Sequence, residues 1–569
     1  MRGEGCRSWG RASWGHGAWE STENECSNGG LAALMARSLK RIALVVTVGT
    51  LFSKFGGLVR QLVIAAAFGV GAAYDAYNYA YVLPGFLLIL LGGINGPFHS
   101  AMVSVLSRRP RDEGAHILAT LNTTVSALLL AVTVVLVMAA GPLITLVGPG
   151  LPPELHRIAV AQLQVMAPMA LLAGLIGLGF GSLNAADEFW IPAISPLMSS
   201  LALIFGVGLL WWQLGSAIAL PEHALWGGVV LALATLSGAV LQWLLQLPAL
   251  IRQRLARFKL SWDWGHPGVR EVWQVMGPAT LSSGMLQINV FTDLFFASGI
   301  LGAAAGLGYA NLLVQTPLGL ISNALLVPLL PTFSRLTAPE DRPQLIARIR
   351  QGLMLSTASM LPLGALFLAL AAPIVALVYE RGAFDAQASQ LVTGLLMAYG
   401  IGMPAYLGRD VLVRVFYALG DGTTPFRLSL AGIGLNVLFD WALVGGPSPW
   451  GPLLPFDFGA PGLVLATVLI NALTCLALLL VLQRRLGGLP LRRWGYDALR
   501  LTAAAALAGC AAWGLSTLVL WPPDLIGRGL QVALSGGFGG VLFALCGQAL
   551  GIVEVVEINQ GIARRFSRR

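Results

Sequence analysis

Apolar runs of about 20 residues recur from residue 42 to residue 552, separated by short gaps that are alternately rich and poor in Arg. This leaves little choice of fold, because in hydrocarbon each backbone N–H and C=O must be satisfied within its own segment, as a helix does. The runs fall at 42–68, 76–106, 117–147, 158–182, 190–213, 225–250, 272–299, 304–332, 350–378, 388–418, 427–445, 459–483, 497–521 and 529–552. Composition agrees: 11% of the 569 residues are charged, against about 25% in soluble domains. The expected fold class is an all-α polytopic membrane protein with 14 transmembrane helices.

Charge tests the count. With the N-terminus in the cytoplasm and each run crossing once, 25 Lys and Arg residues fall inside and only Arg157, Arg381 and Arg528 outside. A wrong count would scramble that contrast, so both termini are expected to be cytoplasmic. The net charge of +9 is spread over these loops and forms no basic domain, so no nucleic-acid partner is expected. Residues 1–34 are polar and lack a signal-peptide core. They read as a disordered tail, or as residues upstream of a true start at Met35. The five cysteines form no CxxC pair and read as packing residues.

The chain repeats itself at an offset of 233. IAAAFGVGAAYDAYNYAYVLPGFLL from residue 64 echoes FASGILGAAAGLGYANLLVQTPLGL from 296, aligning Pro84 with Pro317; SLNAADEFWIP echoes FYALGDGTTPF, aligning Pro192 with Pro425. Two six-helix lobes are therefore expected, 38–258 and 259–486. Residues 1–37 form a tail, and 487–569 hold two added C-terminal helices and a basic end. Transporters built from such repeats bind substrate between the halves near mid-membrane.

Four cations lie inside spans: Lys54, Arg60, Arg409 and Arg414. A cation at a helix centre costs roughly 2.5–3.5 kcal/mol on insertion scales and marks function by default. Lys54 lies ~18 Å into its span at ~1.5 Å per residue, too deep to snorkel easily. Gly56-Gly57 lets the helix bend and bring Lys54 and Arg60 toward one cavity. The functional reading is an anion cradle; the bland one is an internal ion pair, for instance with Asp75. Asp75 reads equally as an orienter of Arg60 or as a cap of its own helix. Adding 233 to Arg60 and Lys54 gives Asp293 and Gln287, so the second lobe holds an acid and an amide where the first holds cations. Asn436 and Asp440 share a helix face at i, i+4. With Asp293 and Thr467 they offer hard oxygen ligands for a small cation. The first-lobe equivalents, Leu203 and Val207, offer none. Asp410 and Arg414 read as a local i, i+4 pair. Gly92-Gly93 and Asn95-Gly96-Pro97 predict a broken second span, followed by His99, which reads as a packed histidine ahead of a proton relay. No HExxH, nucleophile elbow or Walker loop is present, so no enzyme is expected.

The chain resembles the MurJ (MviN) lipid II flippases of the multidrug/oligosaccharidyl-lipid/polysaccharide exporter superfamily. The motifs are LFSKFGGLVRQLVIAAAFGVGAAYDAY, YERGAFDAQ at 379–387 and MAYGIGMPAYLGRDVLVRVFYALGDGTTPFR at 397–427. The resemblance implies transfer of a polyprenyl-diphosphate-linked disaccharide-pentapeptide across the bacterial cytoplasmic membrane. It implies substrate contacts at Ser53, Lys54, Arg60, Asp75 and Asn95. A monovalent cation site is implied at Asp293, Asn436, Asp440 and Thr467. The family's helix-2 arginine pair is absent here, in LPGFLLI at 83–89, and its helix-8 charges are replaced where Asn311-Leu312 leads to Gln315. No cofactor is expected beyond Na+ or H+ as a coupling ion. Lipid II, membrane lipids and cell-wall synthesis enzymes are the expected partners. Two other readings are a drug antiporter, which calls for twelve spans and an acidic first half, and a non-transporting scaffold, for which span-1 charge is dispensable.

Overall fold

The computed structural model describes residues 46–560 apart from 94–95, 256–259, 286, 337, 447–450, 456 and 557–559. Each predicted run is helical. The first part of the chain gives α1 Val46–Phe68, α2 Ala72–Gly92, α3 Pro97–Leu106, α4 Arg111–Met138, α5 Ala140–Val147, α6 Pro153–Met166, α7 Met169–Ala185, α8 Trp190–Ile194, α9 Pro196–Leu214 and α10 Ala224–Arg252. Next come α11 Pro267–Met285, α12 Ile288–Ala297, α13 Ala303–Ser334, α14 Arg342–Tyr379, α15 Ala386–Ala418, α16 Thr423–Val444 and α17 Ala460–Arg485. The last two are α18 Leu491–Leu518 and α19 Leu525–Ala549. Among the described residues the only β feature is an isolated bridge, Gly446 to Gly451.

Among the described residues, 12 helices are long and apolar enough to cross a membrane, and 13 crossings result if α6 and α7, bent by 42° at Ala167-Pro168, form one. The count therefore departs from fourteen at one place, 272–299. There α11 opens with Arg270 and Glu271, and α12 has only 10 residues, about 15 Å of helix. The second span is broken as Gly93, Gly96 and Pro97 predict, between α2 and α3. Pro84 and Pro317, the repeat pair, both lie inside helices, α2 and α13.

Span 7 joins two bodies. Val269, Val272 and Met276 of α11 pack with Leu118, Leu121 and Val125 of α4 in one apolar cluster. Arg109 Nη2 reaches Glu271 at 2.9 Å. Ahead of α11, His116 bonds Asp263 at 3.0 Å and holds its carboxyl below the usual range. By contrast α12 packs chiefly on α16. The helices α18 and α19 lie on α14, with Gly509 seated against Ala365 as small residues permit in lipid. Arg350 of α14 clasps them at the Arg-rich end, 2.8 Å from both Asp497 and Glu554.

The two lobes close on each other at the Arg-poor end. Ala383 N–H donates to Ala66 C=O at 2.8 Å, Tyr309 hydroxyl to Gly69 C=O at 2.8 Å, and Gly150 N–H to Ser298 Oγ at 3.0 Å. Toward the Arg-rich end α1 turns exposed at Leu51, Phe52 and Phe55, and α13 at Leu320.

Gly382 is needed at this seal. Its φ is +59°, and a Cβ would lie 2.3 Å from Ala66 O, so alanine meets both backbone strain and backbone contact. Gly382→Ala is expected to raise labelling of a Val70→Cys reporter by an impermeant maleimide about fivefold or more, the shift ~1 kcal/mol of lost closure gives. Unchanged labelling would show that this contact does not hold the seal.

Candidate functional site

Helix α1 runs unbroken through its glycine pair. Gly56 serves close packing, since a Cβ there would come 2.3 Å from Leu197 Cδ1 of α9, while Gly57 faces open space. Ser53 and Arg60 are half-buried and Lys54 is exposed. The Arg60 guanidinium lies in electrostatic range of the Tyr74, Tyr77 and Tyr81 rings of α2. These rings stack in sequence, Tyr74 on Tyr77 and Tyr77 on Tyr81 at 5.9 and 5.4 Å. The Arg60 Nε is buried with no hydrogen-bond partner. Among the described residues neither Lys54 nor Arg60 forms an ion pair.

Asp75 takes neither of the roles its position suggested. It is 2% exposed, and its carboxylate accepts from Gly302 N–H at 3.1 Å and Ala305 N–H at 3.0 Å. It caps the N-terminus of α13, in the other lobe, and pairs with no cation. Two of that helix's orphan donors are thereby satisfied by a charge its dipole favours. Next to it Gln61 Nε2 donates to Tyr74 hydroxyl at 2.5 Å.

Between the lobes lies a cavity of about 540 Å³ walled by α2, α12, α13, α15 and α17. Asp293 and Thr467 line it; Ser53, Lys54, Arg60 and Asp75 do not. Tyr81 belongs to the cavity wall and lies in electrostatic range of Arg60. Asn95 lies outside the described residues. Asn78, Asn289, Tyr399 and Tyr406 also line the cavity. In the sequence they are single polar residues in apolar runs, and only the i, i+3 spacing of Asn78 and Tyr81 hints at a shared face.

The structure brings three of the four expected cation ligands into contact or close by. Asn436 Nδ2 donates to Asp293 Oδ1 at 3.1 Å and to Asp440 Oδ2 at 2.7 Å. Asn436 and Asp440 are fully buried, and Asn436 Oδ1 and Asp440 Oδ1 have no partner. Two carboxylates sharing one amide, with two orphan oxygens, fit a small hard cation or a proton. Thr467 stays on the cavity side, its carbonyl accepting from Asn471 at 2.7 Å. No group of three or more His, Cys, Asp or Glu that could hold a metal occurs among the described residues. At the repeat positions Leu203 and Val207 are buried and apolar.

Two other expectations resolve differently. Asp410 pairs with its neighbour Arg409 at 2.9 Å, and Arg409 reaches Asn471 of α17 at 2.6 Å; the expected Asp410–Arg414 pair is absent. His99 is buried and packed, 2.7 Å from Asn184. Outside the membrane, Asp421 accepts from Thr423 and Thr424 and faces Arg485 at 2.6 Å. Those bonds, Thr424 foremost, hold its carboxyl well below the usual range.

The family model described as "Lipid II flippase MurJ" matches residues 64–525. A Synechocystis protein named "Probable lipid II flippase MurJ" is 51% identical, over 94% of this chain and 98% of its own. A Burkholderia cenocepacia "Lipid II flippase MurJ" is 29% identical over 84% and 90%. Among solved structures, "Lipid II flippase MurJ, inward closed conformation" superposes with a TM-score of 0.70 at 21% identity, over 89% and 99% of the two chains. An inward-facing MATE-family multidrug transporter of the MOP superfamily gives 0.57 at 14% identity, over 78% and 98%. These two establish likeness of fold. On the family match and the Synechocystis relative, the chain belongs to the MurJ lipid II flippase family.

Proposed function

We propose that this multi-pass membrane protein is a lipid II flippase. It carries the polyprenyl-diphosphate-linked peptidoglycan precursor from the inner to the outer leaflet of the bacterial cytoplasmic membrane by alternating access. The observation that carries this is the pair of cations on α1, Lys54 and Arg60, neither of which has a carboxylate mate among the described residues, in a two-lobe bundle held together at Ala66–Ala383. Positive charge without a carboxylate mate suits a diphosphate. With the Arg-rich loops in the cytoplasm, the seal at Ala66–Ala383 is the outer gate, and the precursor would enter from the opposite end. The headgroup crosses through the polar interior while the prenyl chain stays in lipid. Enzymes of cell-wall synthesis would supply and consume the cargo.

Asp293, Asn436, Asp440 and Thr467 would hold Na+ or a proton, whose positive charge would offset the two carboxylates, one buried and one on the cavity wall. On this reading Na+ raises the Tm of the purified protein, since a ligand bound to the folded state alone at about 100 times its Kd adds about 2.7 kcal/mol. Asp440→Asn is expected to cancel that rise without lowering the Tm measured in K+. A Na+ shift that survives the substitution would move the site elsewhere. The function itself is tested by translocation of lipid II by the purified protein in liposomes, with and without Na+ and a membrane potential. No translocation above protein-free vesicles under any of these conditions would reject it.

A further inference from the structure

The cavity is nearly uncharged. Five carboxamides line it, Asn78, Gln287, Asn289, Asn311 and Gln315, and Asp293 is its one charged residue. Among the described residues no guanidinium or ammonium lines it. A diphosphate placed here would meet a carboxylate of its own sign and no cation to offset its charge. The chemistry fits a different part of a lipid-linked cargo.

We infer that this cavity is a glycan-reading subsite, in which Asn311 and Gln315 of α13, with Gln287 and Asn289 of α12, receive the uncharged sugar moiety. The inference rests on the lipid-linked cargo proposed above and assigns the parts of that cargo to different walls.

Three observations carry it. The amides are free: among the described residues Gln287, Asn311 and Gln315 make no internal hydrogen bond. Asn289 Oδ1 and the Tyr406 hydroxyl are buried with no partner at all. Buried polar groups are ordinarily paired, so these point to a ligand or to water. A carboxamide offers donor and acceptor side by side, which matches vicinal hydroxyls and an N-acetyl group. Second, Asn311 and Gln315 are spaced i, i+4 and share a face; both are exposed to the cavity. Third, aromatic rings flank the amides. Tyr399 and Tyr406 lie with centroids 6.5 Å apart, and Phe86 meets Phe291 edge-on at 5.9 Å. Flat apolar rings beside directional polar groups suit a pyranose, with one apolar C–H face and an equatorial rim of hydroxyls. The volume, about 540 Å³, is that of sites for ligands of a few rings.

The phosphates are thereby left to Lys54 and Arg60, which lie outside this wall. Tyr81 stands at the boundary, facing the cavity and in range of Arg60.

The test is binding of three lipids to the purified full chain, read by native mass spectrometry: undecaprenyl diphosphate, the same lipid bearing a peptide-free disaccharide, and the complete precursor. In the wild type the disaccharide is expected to tighten binding about tenfold or more, as two or three neutral hydrogen bonds would. Asn311→Leu combined with Gln315→Leu is expected to remove that gain and leave the bare diphosphate lipid bound as before, which also reports that the variant is folded. Gln315→Ala alone should lose part of the gain. Lys54→Ala with Arg60→Ala should do the reverse, weakening all three lipids and keeping the ratio between them. The inference is overturned if the disaccharide adds nothing, if only the peptide adds affinity, or if the gain survives both α13 substitutions. If the wild type binds none of the three lipids, the underlying flippase reading fails with it. If it binds the bare lipid but gains nothing from sugar, only the subsite fails.

Discussion

Lys54→Ala combined with Arg60→Ala is expected to abolish growth of a flippase-depleted bacterium while leaving the protein in the membrane at its normal level. Each charge-assisted hydrogen bond to a phosphate is worth about 1.5–3 kcal/mol. Losing two therefore costs about 10²- to 10⁴-fold in affinity for a diphosphate lipid. Folding should not suffer. Neither cation has a carboxylate mate among the described residues, so alanine leaves no orphaned acid and removes an insertion cost of roughly 2.5–3.5 kcal/mol per charge. That asymmetry separates a binding role from a structural one: a structural pair, once cut, lowers the membrane level, whereas a cradle loses only transport. Lys54→Arg, which keeps a cation at the exposed position, should support growth. Arg60→Lys should retain charge but lose the fork that grips two oxygens at once, and grow poorly. Normal growth of the double alanine variant, with the protein shown to be present, would remove the anion cradle from the mechanism.

What could be read in the sequence was local. Hydropathy, proline and glycine act within a few turns, so the runs, the break after Gly93 and the repeat of Pro84 with Pro317 all appear where expected. The Asn436–Asp440 contact was legible for the same reason, being i, i+4 on one helix. Partner choice across the bundle was not. Asp75 finds its donors 227 and 230 residues away, and Arg409 reaches Asn471 at a separation of 62, where the sequence offered only neighbours as candidates. Span 7 read as one run because hydropathy sums over a window. The window at 272–299 does not register that α11 sits chiefly with α3 while α12 sits with α16. The neutral wall of the cavity was hidden for another reason. An isolated Asn or Gln in an apolar run carries no charge to attract notice, and Asn78, Asn289 and Asn311 come from three separate helical segments.

Asp75 is where those two kinds of information meet, and its replacement should have the second-largest effect. A residue that touched the cargo and a residue that caps α13 predict different phenotypes. The geometry favours the cap: the carboxylate is 2% exposed, and its two oxygens face Gly302 N–H and Ala305 N–H. In a low-dielectric setting Asp75→Ala strands both donors at a helix N-terminus, a loss of about 3–5 kcal/mol from the closed seal. Asp75→Asn keeps one acceptor without the charge and should cost about half as much. Hydrogen exchange of the Gly302–Ala305 amides reads this directly. Exchange there should speed up by about 10² or more in the alanine variant, with labelling of Val70→Cys rising in parallel, while affinity for undecaprenyl diphosphate in detergent stays within about twofold. Slow exchange at 302–305 together with lost lipid affinity would be the opposite pattern. It would return Asp75 to the substrate and leave the N-terminus of α13 held by something other than this carboxylate.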